Sequence, residues 1–415
     1  MGRTPRGMRL HIGFFGRRNV GKSSLLNAIT RQKVSIVSEY AGTTTDPVEK
    51  PMELLPLGPV LFIDTAGLDD TGALGEMRVK QTRKVFERTD LAVLVSDGEW
   101  GEFESELVKE FRKREIPFIA VCNKIDQSPP TQTLLNHFQE QKISFVQTSV
   151  LKAEGLLDLR QALLDNAPAD FIENPALLGD LLGPGEMAIL VVPIDKEAPK
   201  GRLILPQVQA IRDILDSDSF CVVTKERELK EVLERLKVPP KLVVTDSQAF
   251  LKVAADTPEP ILMTGFSVLF SRFKGDLLQQ TEGALAIDKL RPGSKVLIAE
   301  SCTHHPISDD IGRVKIPRWL TQYVGGKLDF TTVQGRDFPE NNLSEFDLLI
   351  HCGGCMWNRR QMLSRLLMCR EAGLPATNYG LAIAYCLGIF ERALKPFPAA
   401  YELYWQHKKQ KTNVY

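Results

Sequence analysis

The sequence predicts an α/β chain of three consecutive modules whose sheets are mainly parallel. Three observations carry that expectation. Short apolar runs alternate with amphipathic stretches. A stretch bearing Asn174, Pro175, Gly183, Pro184 and Gly185 breaks the periodicity and reads as a linker. Two later apolar runs, Lys295–Ala299 and Phe346–Ile350, are each followed at once by cysteine and histidine.

In the first module, 8–168, strands are expected at Leu10–Phe15, Val60–Asp64, Leu91–Ser96, Phe118–Cys122 and Ile143–Gln147, with helices between them. The second, 185–272, has strands at Ala188–Val192, Phe220–Val223, Leu242–Val244 and Ile261–Met263. Its helix after Thr224 shows an apolar stripe at Leu229, Val232, Leu233 and Leu236. No catalytic constellation occurs there, so packing or self-association is its expected role. The third module, 273–405, holds the two strands that end in cysteine and histidine, and the polar, basic tail Trp405–Tyr415 reads as a solvated end.

The composition is that of a globular protein: 415 residues, 43% hydrophobic, 25% charged, with 52 Lys+Arg balanced by 52 Asp+Glu. That zero net charge argues against nucleic-acid binding through bulk electrostatics. No apolar run approaches the roughly 18 residues of a membrane span. Met1–Arg9 is basic but leads only into Leu10–Phe15, too short for a secretory signal, and Arg6 stands where a myristoylation signal needs Ser or Thr. A cytoplasmic, reducing setting is expected, in which the seven cysteines are core residues or metal ligands before they are disulfides.

Between the first strand and an apolar helix lies Gly16-Arg17-Arg18-Asn19-Val20-Gly21-Lys22-Ser23, followed by Ser24. Glycines here allow a tight turn whose N–H groups face phosphate oxygens at a helix N-terminus. Lys22 would neutralise the β- and γ-phosphates, and the Ser23 hydroxyl would hold Mg²⁺. Asp64-Thr65-Ala66-Gly67 ends the next strand, placing a carboxylate where it reaches the same ion through water, and Gly67 offers an N–H to a γ-phosphate. Asn123-Lys124-Ile125-Asp126 follows a third strand. A carboxylate there accepts from both guanine N1–H and the exocyclic amine, a donor pair that adenine lacks, so GTP and GDP are the expected nucleotides.

These elements resemble the Era/EngA/TrmE group of GTPases over about the first 165 residues. The resemblance implies that Thr43-Thr44-Thr45 is the switch-I region, with Thr45 facing Mg²⁺ and Thr44 close behind. It also implies that Thr148-Ser149-Val150 packs on the base, although Val150 replaces the usual alanine. Lys22, Thr45 and Gly67 would act on the reaction itself. Asn19 matches the P-loop asparagine of relatives that bind K⁺ beside the phosphates. Leu68 stands where a Ras-like enzyme carries its water-orienting glutamine, so hydrolysis is expected to be slow or to use another group.

Cys302-Thr303-His304 and His351-Cys352-Gly353-Gly354-Cys355 follow two strands of one expected parallel sheet, and such strands end on the same edge. Three thiols and two imidazoles would then converge, a set that suits zinc or an iron–sulfur cluster. Cys122, Cys221, Cys369 and Cys386 lie in apolar strands and helices and read as core residues.

A P-loop GTPase followed by a middle α/β segment and a C-x-H…H-C-x-x-C set resembles the HydF family of [FeFe]-hydrogenase maturation GTPases over the whole chain. The resemblance implies a GTPase domain, a dimerisation domain and a domain binding a [4Fe-4S] cluster. Cys302, Cys352 and Cys355 would be the cluster cysteines, with His304 and His351 ligating or supporting. It further implies a homodimeric scaffold that completes the di-iron precursor and delivers it to apo-[FeFe]-hydrogenase, with two radical-SAM maturases supplying the parts. The competing reading is a zinc-stabilised GTPase of RNA modification or ribosome assembly.

Overall fold

A computed structural model describes residues 6–31, 48–54, 57–65, 85–168, 171, 176–193, 203–301, 310–335, 338–339 and 342–412. It falls into two compact units, 1–175 and 176–415.

In the first unit, β1 (Leu10–Phe15), β2 (Val48–Leu54), β3 (Gly58–Asp64), β4 (Leu91–Ser96), β5 (Phe118–Cys122) and β6 (Ser144–Gln147) form one sheet in the order β2-β3-β1-β4-β5-β6. The five expected strands are present and mutually parallel. An additional strand, β2, pairs antiparallel with β3 at the edge. Leu10, Ile12, Phe14, Val93 and Val121 pack against helices Lys22–Arg31 and Leu156–Asp165. On the opposite face, Phe15, Ile63, Leu94 and Cys122 pack against helices Glu102–Lys113 and Gln132–Glu140. Burial on both faces explains why these strands are apolar at nearly every position.

The second unit contains two four-stranded parallel sheets. The first runs β10-β9-β7-β8, from β7 (Met187–Val191), β8 (Phe220–Thr224), β9 (Leu242–Thr245) and β10 (Leu262–Gly265). The second runs β12-β11-β13-β14, from β11 (Lys295–Glu300), β12 (Asp329–Gln334), β13 (Leu348–His351) and β14 (Ala376–Asn378). One continuous core joins them: Ile189 and Val243 of the first sheet and Ile298 and Ile350 of the second belong to a single buried cluster with Phe266 and Leu269 of helix Phe266–Lys274. Each such side chain, fully buried, contributes on the order of 1.5–3 kcal/mol. The stripe expected after Thr224 is helix Leu229–Arg235, with Leu229 buried and Val232, Leu233 and Leu236 packed against the same core. Among the described residues, no helix is long and apolar enough to cross a membrane.

Candidate functional site

The parallel strands β1, β3, β5 and β6 end on one edge, which collects the expected nucleotide residues. Gly16 turns at φ +141°, and a Cβ there would lie 2.2 Å from the Val95 carbonyl oxygen, so only glycine fits. Lys22 is buried at the start of its helix and donates from Nζ to the carbonyls of Gly16 (2.9 Å) and Arg17 (2.6 Å). Asn123 ties three segments together: its Nδ2 donates to Val20 O at 2.9 Å, and its Oδ1 accepts from Thr148 Oγ1 at 3.0 Å. Gly21 leaves room for that amide, since a Cβ would approach Asn123 Nδ2 to 2.3 Å. Asp126 is held by Ser149 Oγ, which donates to Oδ1 at 2.6 Å. Lys124 sits at φ +59° with Nζ 3.4 Å from Asp97. Val150 packs on the core beneath, and Ser24 is exposed at the helix start beside Ser23.

Ser23 and Asp64, two of the residues expected at Mg²⁺, lie in contact. Ser23 Oγ donates to Asp64 Oδ2 at 2.5 Å, and Asp64 Oδ1 is buried with no hydrogen-bond partner among the described residues. Burial pushes the Asp64 carboxyl up, against the Ser23 hydrogen bond and the charge of Lys22. The Ser23 hydroxyl and the Asp64 carboxylate, with its orphaned Oδ1, are hard donors that fit Mg²⁺. One pair escaped the sequence reading: Arg17, at a position the phosphate-loop motif leaves unspecified, makes a bidentate bond to buried Glu104 (2.8 and 2.9 Å). Glu104 also accepts from the Gly101 N–H, so the loop is anchored to helix Glu102–Lys113. Thr44, Thr45, Gly67 and Leu68 lie outside the described residues.

At the edge of the third module, β11 and β13 are neighbours in parallel register, Ala299 opposite His351, and Cys352 N donates to Ala299 O at 2.9 Å. Ser301, the residue immediately before Cys302, donates to Cys352 Sγ from its backbone N at 3.1 Å and lies 3.0 Å away through its hydroxyl. Burial pushes the Cys352 thiol up, against these donors. Gly354 turns at φ +60°, and a Cβ there would meet Met362 Cε at 2.4 Å. Helix Arg359–Glu371 begins where expected, with the Asn358 side chain accepting from Gln361 N. Cys302 and His304 lie outside the described residues. Among those described, no group of three His, Cys, Asp or Glu side chains converges on a metal position. Two thiols on one short loop, with N–H and hydroxyl donors aimed at sulfur, nonetheless match the chemistry of a thiolate-held cluster.

His351, expected among the metal residues, is turned inward. Its Nδ1 faces Cys352 O at 2.7 Å and so carries the proton, while Nε2 accepts from Arg365 Nη1 at 3.0 Å. Burial, then the Arg365 charge, push its pKa down to about 3, in keeping with a neutral ring. Both ring nitrogens are thereby engaged within the protein. Arg365 is buried too, with its guanidinium carbon 3.9 Å from the Trp357 ring centroid and 4.3 Å from that of Phe338. Lys274, at the end of helix Phe266–Lys274, is 2% exposed and donates to the carbonyls of Trp357 (2.6 Å), Cys355 (2.9 Å) and Gly354 (3.4 Å). Neither Arg365 nor Lys274 has a sequence signal, because single basic residues on helices ordinarily read as solvated.

The four remaining cysteines are core residues as expected. Cys122 and Cys369 are fully buried, Cys221 and Cys386 pack against the large core, and burial pushes all four thiols up.

Comparison with known proteins separates the two units. Residues 11–124 match the family model described as 50S ribosome-binding GTPase. Residues 177–275 match the hydrogen maturase F dimerization domain, and 278–396 match the hydrogen maturase F tetramerization domain, together more than half of the chain. The chain belongs to the hydrogen maturase F family. Similarity to other curated proteins is to their GTPase regions. The tRNA modification GTPase MnmE of Aquifex aeolicus is 34% identical over 164 residues, 39% of this chain and 36% of that protein. GTPase Der of Campylobacter concisus is 39% identical over 125 residues, 29% of this chain and 27% of that protein. The chain thus spans about a third of the length of these relatives or less. Among solved structures, the G domain of the T. maritima FeoB iron transporter aligns over 38% of this chain and 98% of its own, at 25% identity and a TM-score of 0.31. Aquifex aeolicus Era bound to GDP and AlF4⁻ aligns over 60% of this chain and 99% of its own, at 22% identity and a TM-score of 0.33. This hydrogen maturase F family member therefore carries a GTPase domain of the kind that binds GTP or GDP with Mg²⁺, followed by two association domains. The third module, expected from its cysteines to be a cluster domain, is matched by its role in assembly.

Proposed function

We infer that the protein is a GTP-hydrolysing scaffold that binds a [4Fe-4S] cluster through Cys302, Cys352 and Cys355, and completes and delivers the di-iron precursor of the [FeFe]-hydrogenase active site. One juxtaposition carries this reading. In a chain with two hydrogen maturase F domains, the residue before Cys302 contacts the Cys352 sulfur at the shared end of β11 and β13. When bound, the cluster supplies thiolate-held iron to which the precursor can attach. His351 supports the loop, and His304 is assigned to the same edge from the motif alone. The partners are apo-[FeFe]-hydrogenase and the two radical-SAM maturases, and the setting is the cytoplasm.

On the nucleotide side, Gly16, Val20, Gly21, Lys22, Ser23 and Ser24 hold the phosphates. Ser23, Asp64 and Thr45 hold Mg²⁺, and Gly67 senses the γ-phosphate. Asn19, left-handed at φ +63°, is assigned to a K⁺ that does the electrostatic work of an arginine finger. Asp126, fixed by Ser149, selects guanine, while Asn123 fixes the P-loop and Lys124 and Val150 flank the base. Division into modules at 8–168, 185–272 and 273–405 belongs to the same reading. Self-association is assigned to β8, an edge strand with Phe220 49% and Val223 45% exposed, paired with a second copy of this chain.

The test is anaerobic purification with iron and sulfide analysis beside GTP turnover. Cys352→Ser is expected to lose iron and sulfide yet keep GTP hydrolysis. Lys22→Ala should keep the cluster while hydrolysis falls about 100-fold or more. Zinc without sulfide in the wild-type protein would overturn the reading in favour of a zinc-stabilised GTPase.

A further inference from the structure

Burying an ammonium is costly unless its hydrogen bonds are replaced, and a buried lysine is ordinarily matched to a carboxylate. Lys274 is instead matched to main-chain carbonyls, those of Gly354, Cys355 and Trp357, all within or just beyond the Cys352–Cys355 loop. Three acceptors require three N–H donors. A neutral amine has two, so the three carbonyls favour the charged form, against burial, which pushes the Lys274 pKa down to about 8. The Phe270 ring, 5.5 Å from Nζ, covers another side of the cation. A second tie runs parallel: Arg359 Nη1 donates to Phe273 O at 3.0 Å. The residue before Lys274 is thus bound to the start of the helix that follows the loop.

We propose that Lys274 is the positioning residue of the cluster loop: its buried amine fixes the backbone from Gly354 to Trp357, and its ammonium form places a positive charge beside the bound cluster. The inference rests on the cluster reading above and adds a residue from the preceding domain to that site. Lys274 falls in the stretch matched as the dimerization domain, whereas the carbonyls it holds fall in the tetramerization domain. A fixed positive charge favours the reduced, more negative cluster, so removing it should make the cluster harder to reduce.

The experiment uses the full chain, reconstituted anaerobically with iron and sulfide, as wild type, Lys274→Met and Lys274→Gln. Readouts are iron and sulfide per chain, the midpoint potential from an EPR-monitored redox titration, and oligomeric state. Methionine removes both donors and charge, while glutamine keeps two N–H donors without the charge. Both variants should move the midpoint to more negative potential, by at least about a tenfold change in the oxidised-to-reduced ratio, or about 59 mV for a one-electron couple. The methionine variant should also hold less iron and sulfide than the glutamine variant. A folded glutamine variant with the wild-type midpoint overturns the proposal, even if the methionine variant fails to assemble. A wild-type chain that takes up neither iron nor sulfide overturns the cluster reading itself, and this proposal with it.

Discussion

Asp126 was legible from its place in Asn-Lys-Ile-Asp, but its partner Ser149 supplies what the motif alone lacks, a donor that holds the carboxylate in one rotamer. Asp126→Asn replaces an acceptor with a donor facing guanine N1–H. It should weaken GTP binding by about 1.5–3 kcal/mol, roughly 10- to 150-fold, and shift preference toward xanthosine nucleotides, as read by nucleotide competition. His11 makes a second prediction. Its ring nitrogens each lie 3.1 Å from a carbonyl, Arg88 O and Arg6 O, and burial pushes its pKa down from 6.5 to about 4. Because the unfolded chain binds this proton more tightly, the contribution is complete above pH 6.5 and is lost as pH falls toward about 4. Up to about 3 kcal/mol of stability in the first unit should drain away across that window, and His11→Gln should flatten the slope of chemical-denaturation midpoints measured across it. The sequence offered no hint of this, since an isolated histidine in an apolar run reveals neither its acceptors nor its desolvation.

Elements with one dominant physical signal were read from the chain. β1, β4 and β5 are apolar at nearly every position because helices cover both faces, and their bounds agree with expectation. β2 was missed because Val48–Leu54 mixes Glu49, Lys50 and Glu53 with Pro51 at a sheet edge, where Pro is tolerated, and buries only Leu54. β12 is an edge strand that buries no residue fully and exposes three of its six, and β14 has only three residues, too few for any periodicity. Helix Leu277–Leu285 has its own constraint: a Cβ on Gly283 would lie 2.0 Å from Ala376 O, so the helix rests directly on the β14 backbone. Gly283→Ala should destabilise the second unit by about 3 kcal/mol or more, seen as a lower urea midpoint with nucleotide binding unchanged. The same substitution on an open helix face would instead stabilise by up to about 1 kcal/mol, so the sign of the effect reports the contact.

For the whole molecule, the order of the sites along the chain was legible, but the number of independently packed bodies was not. Periodicity marks where a strand lies and not which core receives it. The β8 edge gives an assembly-level prediction: Val223→Glu places a charge on the exposed edge strand and should shift the protein to smaller oligomers in sedimentation. GTP turnover, which belongs to the other unit, should persist.

The core common to β7–β10 and β11–β14 has a final consequence. Phe266 and Leu269 come from one matched domain, Ile298 and Ile350 from the other, and neither set has another place to go. Severing the chain near residue 276 would bare greasy surface on both fragments rather than yield two tidy pieces. The two halves should therefore melt together, as one indivisible body.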